Sequence, residues 1–335
     1  MYQLCIRESV HSSLRLESVL LALLVTALSG GIGGAKLVLG LSNILRPGEL
    51  TVIGNTGDDF EPLGLHISPD LDIVTYTLAG IVDEQKGWGV KGDTFNILDS
   101  LHKYYGFEKW FRLGDRDMAT HIFRTSLLAE SHSLSEATAM ICSALGVKDV
   151  KILPMTDDKV QTKVKIQNGS VIHFQEYFVK RGCTDKVIGI IYEGSNTARP
   201  AKGVLENIAK SDIIVICPSN PIASIGPILS IHRISEALEK ARCPVVAVSP
   251  IINGKPLKGP ADKFMEGMKL DVSASGVARY YRQIIDYLVI DEVDASLNEE
   301  IGSMGVRVTI ANTIMNSLED KTGLARTILK IGSDS

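Results

Sequence analysis

The chain is short of the features that mark several protein classes. Its 335 residues hold five cysteines, Cys5, Cys142, Cys183, Cys217 and Cys243, with no CxxC pair. That scatter excludes a disulfide frame and a cysteine zinc site, and it fits buried thiols in a reducing cytoplasm. A formal net charge of -4 leaves no basic footprint for nucleic acid. No apolar run approaches the ~20 residues a membrane span needs. The longest N-terminal run, Val19 to Leu28, is flanked by Arg7, Glu8, Arg15 and Glu17, so it lacks the positive bias of a signal peptide. There is no internal repeat, no low-complexity tract and no Pro/Gly linker. His121 and His173 have no HxH or HExxH spacing, and no Gly-x-Ser-x-Gly or Cys/His arrangement marks a covalent nucleophile.

What is present is the ordinary balance of a globular enzyme, 45% hydrophobic and 22% charged residues. The pattern is that of an α/β protein. Val25 to Leu28 reads as a buried strand, Lys36 to Leu45 as a helix ended by Arg46-Pro47-Gly48, and Leu50 to Gly54 as a second buried strand, together a βαβ unit. Helical periodicity recurs over Ile73–Ile81, Thr94–Tyr105, Met118–Leu128 and Ser135–Leu145. A strand at Val150–Pro154 and a hairpin over Thr162–Phe174 with Asn168-Gly169 at its tip follow. Alternation then resumes: helix Ala201–Lys210, strand Ile213–Cys217, helix Ile231–Ala241, strand Val245–Val248, helix Gly276–Ile285, strands Tyr287–Ile290 and Gly305–Val308, and a closing helix Asp320–Leu329. This predicts a three-layer, doubly wound, mostly parallel sheet of Rossmann-like type. It would form a single domain over residues 25–330, with a helical and β-hairpin insertion around 88–185 and residues 1–24 as an extension outside the fold.

Loops at predicted strand ends carry the chemistry: Ser249-Pro250-Ile251-Ile252-Asn253-Gly254, continuing to Lys258-Gly259-Pro260 after the strand Val245–Val248, is one, and three others stand out. Between the first strand and its helix stands Ser29-Gly30-Gly31-Ile32-Gly33-Gly34-Ala35-Lys36. Glycines and a lysine at a helix N-terminus let bare N–H groups approach an anion, so a phosphate-bearing ligand is expected here. The spacing is neither a P-loop nor a strict GxGxxG fingerprint. The second loop is Asn55-Thr56-Gly57-Asp58-Asp59. The third, Pro218-Ser219-Asn220-Pro221-Ile222-Ala223-Ser224, offers hydroxyls and an amide on a backbone stiffened by proline. Acid pairs recur in loops: Asp58 and Asp59, Asp70 and Asp72, Asp115 and Asp117, Asp157 and Asp158. Carboxylates beside a phosphate site suit Mg²⁺, and one of them can act as base toward a hydroxyl. Arg116 and Arg124, each near aspartates, are candidates for phosphate contact or for structural ion pairs. A dinucleotide-dependent oxidoreductase is a competing reading of the βαβ start, but it calls for an acid at the end of the second strand, where Asn55-Thr56 stands. A non-catalytic nucleotide-binding protein is the other alternative.

Taken together, Ser29-Gly30-Gly31-x-Gly33, Asn55-Thr56-Gly57-Asp58-Asp59, Ser68-Pro69-Asp70-Leu71-Asp72, Leu113-Gly114-Asp115-Arg116-Asp117, Pro154-Met155-Thr156-Asp157-Asp158, His173-Phe174-Gln175-Glu176 and Pro218-Ser219-Asn220-Pro221 with Ser224-Ile225-Gly226 resemble the 2-phospho-L-lactate transferase family over roughly residues 25–330. The resemblance implies a cytoplasmic homodimer that moves a phospholactyl group from lactyl-2-diphospho-5'-guanosine to the ribityl hydroxyl of the deazaflavin Fo, with Mg²⁺ assisting and coenzyme F-420-0 and GMP as products. Ser29, Gly30, Gly31, Gly33, Lys36, Asn55, Thr56, Ser219, Asn220 and Ser224 are then expected on the nucleotide side. Asp58, Asp59 and Asp70 are expected to bind metal, with Asp70 and Asp59 catalytic. Asp70, Lys109, Arg112, Asp115 and Arg116 are expected on the acceptor side. The turn reads GGIGGAK where archaeal members often have GGTGTPK, closer to bacterial relatives that use an enolpyruvyl donor.

Overall fold

The computed structural model describes residues 23–334. The extension expected at residues 1–24 therefore lies, but for its last two residues, outside the described residues. Seven strands form the central sheet: β1 (Val25–Ser29), β2 (Leu50–Gly54), β3 (Val150–Pro154), β7 (Ile213–Ile216), β8 (Val245–Val248), β11 (Tyr287–Ile290) and β12 (Arg307–Ile310). Their order is β12-β11-β8-β7-β1-β2-β3, and every neighbouring pair is parallel. β1, β2, β7 and β8 are buried at every position, as strands covered by helices on both faces must be. One apolar layer joins Leu37, Val38 and Leu41 to Leu71, Val74 and, from the C-terminal helix Leu318–Asp334, Leu324 and Ile328. The opposite layer is built on Ile222, Ile228, Ile234, Phe264 and Val277.

The chain leaves β1 toward β2 and β3, then returns to β7 on the other side of β1. Strand order reverses there, and in such sheets the crevice beyond the strand carboxyl ends at the reversal takes the ligand. Outside this frame, β4 (Gln161–Ile166) pairs antiparallel with β5 (Val171–His173) and with β6 (Val187–Glu193). A small β9–β10 ribbon (Ile251–Ile252 and Lys255–Pro256) follows β8. The hairpin expected from Asn168-Gly169 is present, while β6, a run rich in β-branched residues, adds a strand beyond those expected from the sequence. Because β3 belongs to the central sheet, the region expected as one insertion comprises two excursions, helical before β3 and antiparallel after it.

Two helices begin earlier than their apolar periodicity suggests, and both differences bear on the site. Helix α1 spans Gly31–Ser42, so the glycines are its first turn and not a loop before it. Helix α2 spans Pro69–Leu78, with proline in the first turn, where its missing N–H costs nothing. Asp70 and Asp72 are thereby first-turn helix residues. Downstream, α3 is Asn96–Tyr105, α4 is Asp115–Ala129 and α5 is Leu134–Ala144, the last opened by a Ser133/Glu136 capping box.

Candidate active site

The elements at the switch point meet around Asp70. Its Oδ1 accepts the Gly31 N–H (2.8 Å) and its Oδ2 accepts Asn55 Nδ2 (2.9 Å). A carboxylate set against the positive end of α1 thus joins the β1 turn, the β2 loop and α2. Ser219 Oγ accepts the neighbouring Gly30 N–H (3.2 Å), bringing in the β7 loop. Asn55 also accepts the Gly57 N–H through Oδ1 (2.7 Å). The Asn220 side chain accepts the amides of Ile222 and Ala223. Two amides of the expected phosphate cradle, Gly30 and Gly31, are therefore engaged by protein oxygens. Asn55 and Asn220 shape backbone in this structure.

The glycines permit close packing. A Cβ at Gly30 would collide with Asp70 Oδ2 and approach Ser224 Cβ to 2.7 Å; one at Gly33 would strike the Pro218 carbonyl; one at Gly34 would strike Ser29 Oγ and come within 2.6 Å of Ser219 Oγ. Gly31 has φ +62°, the left-handed region that favours glycine. Ser29, Ser219 and Ser224 are buried in this seam, as is Thr56.

Asp58 and Asp59 follow on the β2 loop. Both are buried, at 3% and 8% exposure, and each leaves Oδ1 without a hydrogen-bond partner. Burial is the largest influence on Asp58, and the charges of Asp70 and Asp59 add to it. Its pKa is pushed well above the ordinary aspartate value, with Asn55 and Thr162 offsetting only part. Asp70 is raised to about 6, chiefly by burial and against the bonds from Asn55 and Gly31. Asp59 is also raised by burial, although its Oδ2 accepts Ser68 Oγ (2.7 Å) and meets His66 Nε2 (3.0 Å). His66 carries no motif of its own in the sequence, while Ser68 opens the Ser68-Pro69-Asp70-Leu71-Asp72 segment of the resemblance.

Behind these acids lies a buried polar cluster joining α2 to α4. Arg124, 1% exposed, pairs through both Nη atoms with the Asp72 carboxylate and also reaches the His66 carbonyl (3.4 Å). Tyr76 donates to Asp117 (2.8 Å), and His121 stands 3.2 Å from the same carboxylate. Burial alone would raise Asp117, yet His121 and Tyr76 hold it below the ordinary value. Of the two readings open for Arg124, the structure gives the ion pair.

The expected acceptor group disperses. Asp115 accepts Thr94 Oγ1, the Asn96 amide and side chain, and the Ile97 amide, capping α3; these bonds lower it to about 2. Lys109 pairs with Asp99 (2.8 Å), Arg112 lies over the Phe95 ring (4.3 Å) and the Arg116 side chain is exposed. Next to Asp59 stands instead a half-buried aromatic group of which only His173 belongs to a motif of the sequence. Phe60 touches Phe111, Trp110 and His173, with ring centroids 4.5, 6.2 and 5.9 Å apart. His173 Nε2 lies 3.2 Å from the Asp59 carbonyl, and burial lowers its pKa to about 4, so the ring is neutral near pH 7. Lys36, on the far side of α1, donates to the Met315 carbonyl (2.8 Å).

A parallel doubly wound sheet with buried acids at its switch point, beyond β1, β2 and β7, defines a Rossmann-like α/β protein. The chain belongs to the family described as 2-phospho-L-lactate transferase CofD, whose model matches residues 25–316. It is 44% identical to a 2-phospho-L-lactate transferase of Methanocaldococcus jannaschii, covering 91% of this chain and 97% of that one. It is 41% identical to a phosphoenolpyruvate transferase of Streptomyces griseus, covering 92% and 98%. A solved member of the UPF0052 family from Bacillus halodurans matches with a TM-score of 0.64 at 14% identity, covering 92% and 99%, and supports the fold alone. No helix among the described residues is long and apolar enough to cross a membrane.

Proposed function

We propose that the protein transfers the 2-phospholactyl group of lactyl-2-diphospho-5'-guanosine to the ribityl hydroxyl of Fo, giving coenzyme F-420-0 and GMP. The observation that carries this reading is the Asp58 carboxylate, buried, raised in pKa and with Oδ1 unpartnered, beside Asp70 at the glycine turn of a member of this family. In the reaction the hydroxyl oxygen forms a bond to the phosphorus bearing the lactyl group, the bridging P–O bond breaks, and its electrons leave with GMP. The hydroxyl proton passes to a carboxylate. Asp58 suits that role better than Asp70, because both oxygens of Asp70 already accept hydrogen bonds. Asp70 then acts as the anchored charge that fixes Asn55 and the start of α1.

No group of three or more His, Cys, Asp or Glu side chains among the described residues is arranged to hold a metal unaided. Magnesium is typically held by one or two carboxylates together with substrate phosphates and water. Asp70 fits that demand, each of its oxygens keeping a lone pair beside its one hydrogen bond, with Asp58 left free to take the proton and Asp59 tied back by His66 and Ser68. Bound there, Mg²⁺ would neutralise phosphate charge that builds up during transfer. The Phe60, Trp110, Phe111 and neutral His173 surface next to Asp59 supports an aromatic acceptor, which it can stack.

An enolpyruvyl donor is a second reading, favoured by the GGIGGAK turn and by the likeness to the Streptomyces griseus enzyme. Incubation with Fo, Mg²⁺ and each donor in turn, followed by mass analysis, separates the two. A product heavier than Fo by the phospholactyl unit is expected, the enolpyruvyl product alone would reassign the donor, and no product with either donor would defeat the transferase reading.

A further inference from the structure

The antiparallel sheet of β4, β5 and β6 brings a cation to the aromatic group beside Asp59. Lys163 on β4 stands directly opposite His173 on β5 and Ile191 on β6, so the three side chains form a row on one face. Thr162, Val164 and Ile166, buried, belong to the other face. His173 ends the row at the acid loop: its Nε2 lies 3.2 Å from the Asp59 carbonyl and its ring centroid 5.9 Å from that of Phe60. Its Nδ1 accepts the Gln175 N–H (3.2 Å), so Nε2 carries the proton and donates it. The imidazole is thereby fixed at both nitrogens, and it carries the surface of Phe60, Trp110 and Phe111 to the foot of Lys163.

Lys163 differs from the other lysines of this region. Lys180 lies over the Trp110 ring and pairs closely with Glu108 (2.7 Å), and the exposed Lys159 pairs with Glu61 (3.4 Å). The Lys163 side chain is only 23% exposed, and its one ion-pair partner among the described residues, Glu193, is 3.6 Å away and 64% exposed. Such a solvated pair is weak, so the ammonium group keeps most of its charge for another anion. Its field reaches the aromatic group: after burial, the Lys163 charge is the next influence lowering the His173 pKa. Lys109 and Arg112, expected on the acceptor side, are instead committed to Asp99 and Phe95.

We propose that Lys163 selects the acceptor by the hydroxyl on its deazaflavin ring, the ammonium group pairing with that oxygen as a phenolate while the ring lies on Phe60, Trp110, Phe111 and His173. This rests on the reading of the acceptor as Fo. The ring hydroxyl is acidic because its negative charge delocalises into the fused ring system, and a cation beside it favours the charged form. On binding, the hydroxyl proton passes to solvent and no covalent bond other than that O–H changes. A flavin with a methyl group in place of the hydroxyl stacks equally well but leaves the ammonium group without its partner, which is the basis of selection.

The test is a spectrophotometric pH titration of Fo, without donor, bound to the wild-type chain and to Lys163→Met and Lys165→Met. Absorption by the phenolate reads the ionisation of the ring hydroxyl directly. Methionine keeps an apolar stem against the sheet, and Lys165, exposed two residues further along the same face, controls for net charge. On the wild-type chain the hydroxyl should ionise at lower pH than in free Fo. Lys163→Met should abolish that displacement and weaken Fo binding about tenfold or more at pH 7.5, and Lys165→Met should change neither. Fo that ionises on the wild-type chain as it does free, or that binds Lys163→Met as it binds wild type, overturns the role of Lys163 and leaves the acceptor reading standing. A wild-type chain that does not bind Fo defeats the acceptor reading and the role of Lys163 with it. A displaced ionisation, lost in Lys163→Met, in a protein that forms no product with either donor supports Lys163 and confines the failure to the transfer.

Discussion

At the scale of single residues, the buried acids set a conflict between stability and activity. The folded-state pKa of Asp70 is about 6 against 3.8 for an ordinary aspartate. Its ionisation therefore penalises folding as pH rises through that interval, fully so above about pH 6, and the penalty vanishes below the ordinary value. Asp58 acts in the same direction. At pH 7.5 without divalent ions, Asp58→Asn is expected to melt above the wild-type protein, each kcal/mol gained being worth about 2–4 °C. A lower melting temperature in a calorimetric scan would show that the Asp58 charge is stabilised by contacts this account lacks. The same pKa predicts the pH profile. Protonation of Asp70 removes the charge facing Gly31, so kcat/KM should decline as pH falls below about 6; a rate flat down to pH 4.5 would remove that charge from the reaction.

At the scale of elements, the first turn of α1 and the α2–α4 clamp hold the site. Gly33→Ala puts a methyl group against the Pro218 carbonyl, where backbone on both sides must move. It should cost about 1–3 kcal/mol in urea unfolding. Gly323→Ala, in the C-terminal helix with nothing near its added carbon, is the contrasting case and should gain up to about 1 kcal/mol. Equal effects at the two glycines would contradict the packing role of the turn. Arg124→Met leaves buried Asp72 with His121, 3.7 Å away, as its remaining ion-pair neighbour among the described residues, for an expected loss of about 3–5 kcal/mol, part of which Asp72→Asn added to it should restore. If the double variant is no more stable than the single one, the loss comes from packing and not from the stranded charge.

At the scale of the whole molecule, the fold was largely legible because parallel strands buried on both faces are near-continuous apolar runs: β1, β2, β8 and β11 coincide with theirs to within a residue, and so does the edge strand β3, although its Lys151 is exposed. The starts of α1 and α2 were not, since glycine and proline punctuate sequence whether they close a loop or open a helix. The site was legible as loops at strand ends, and those from β1, β2 and β7 do meet at the switch point. Which acid is anchored and which is free was not, because that depends on partners distant in sequence, such as Gly31 for Asp70 and Thr94 for Asp115. The aromatic surface beside Asp59 draws on Phe60, Trp110 and His173, from three separate segments without local periodicity.

In the proposed reaction Asp58, at this switch point, takes the proton of the attacking hydroxyl. Its most direct test is the kcat of Asp58→Asn for Fo and lactyl-2-diphospho-5'-guanosine at pH 7.5 with Mg²⁺, on protein whose melting temperature shows it folded. A fall of about 10²-fold or more is expected; a kcat within about twofold of wild type would mean that another group takes the proton.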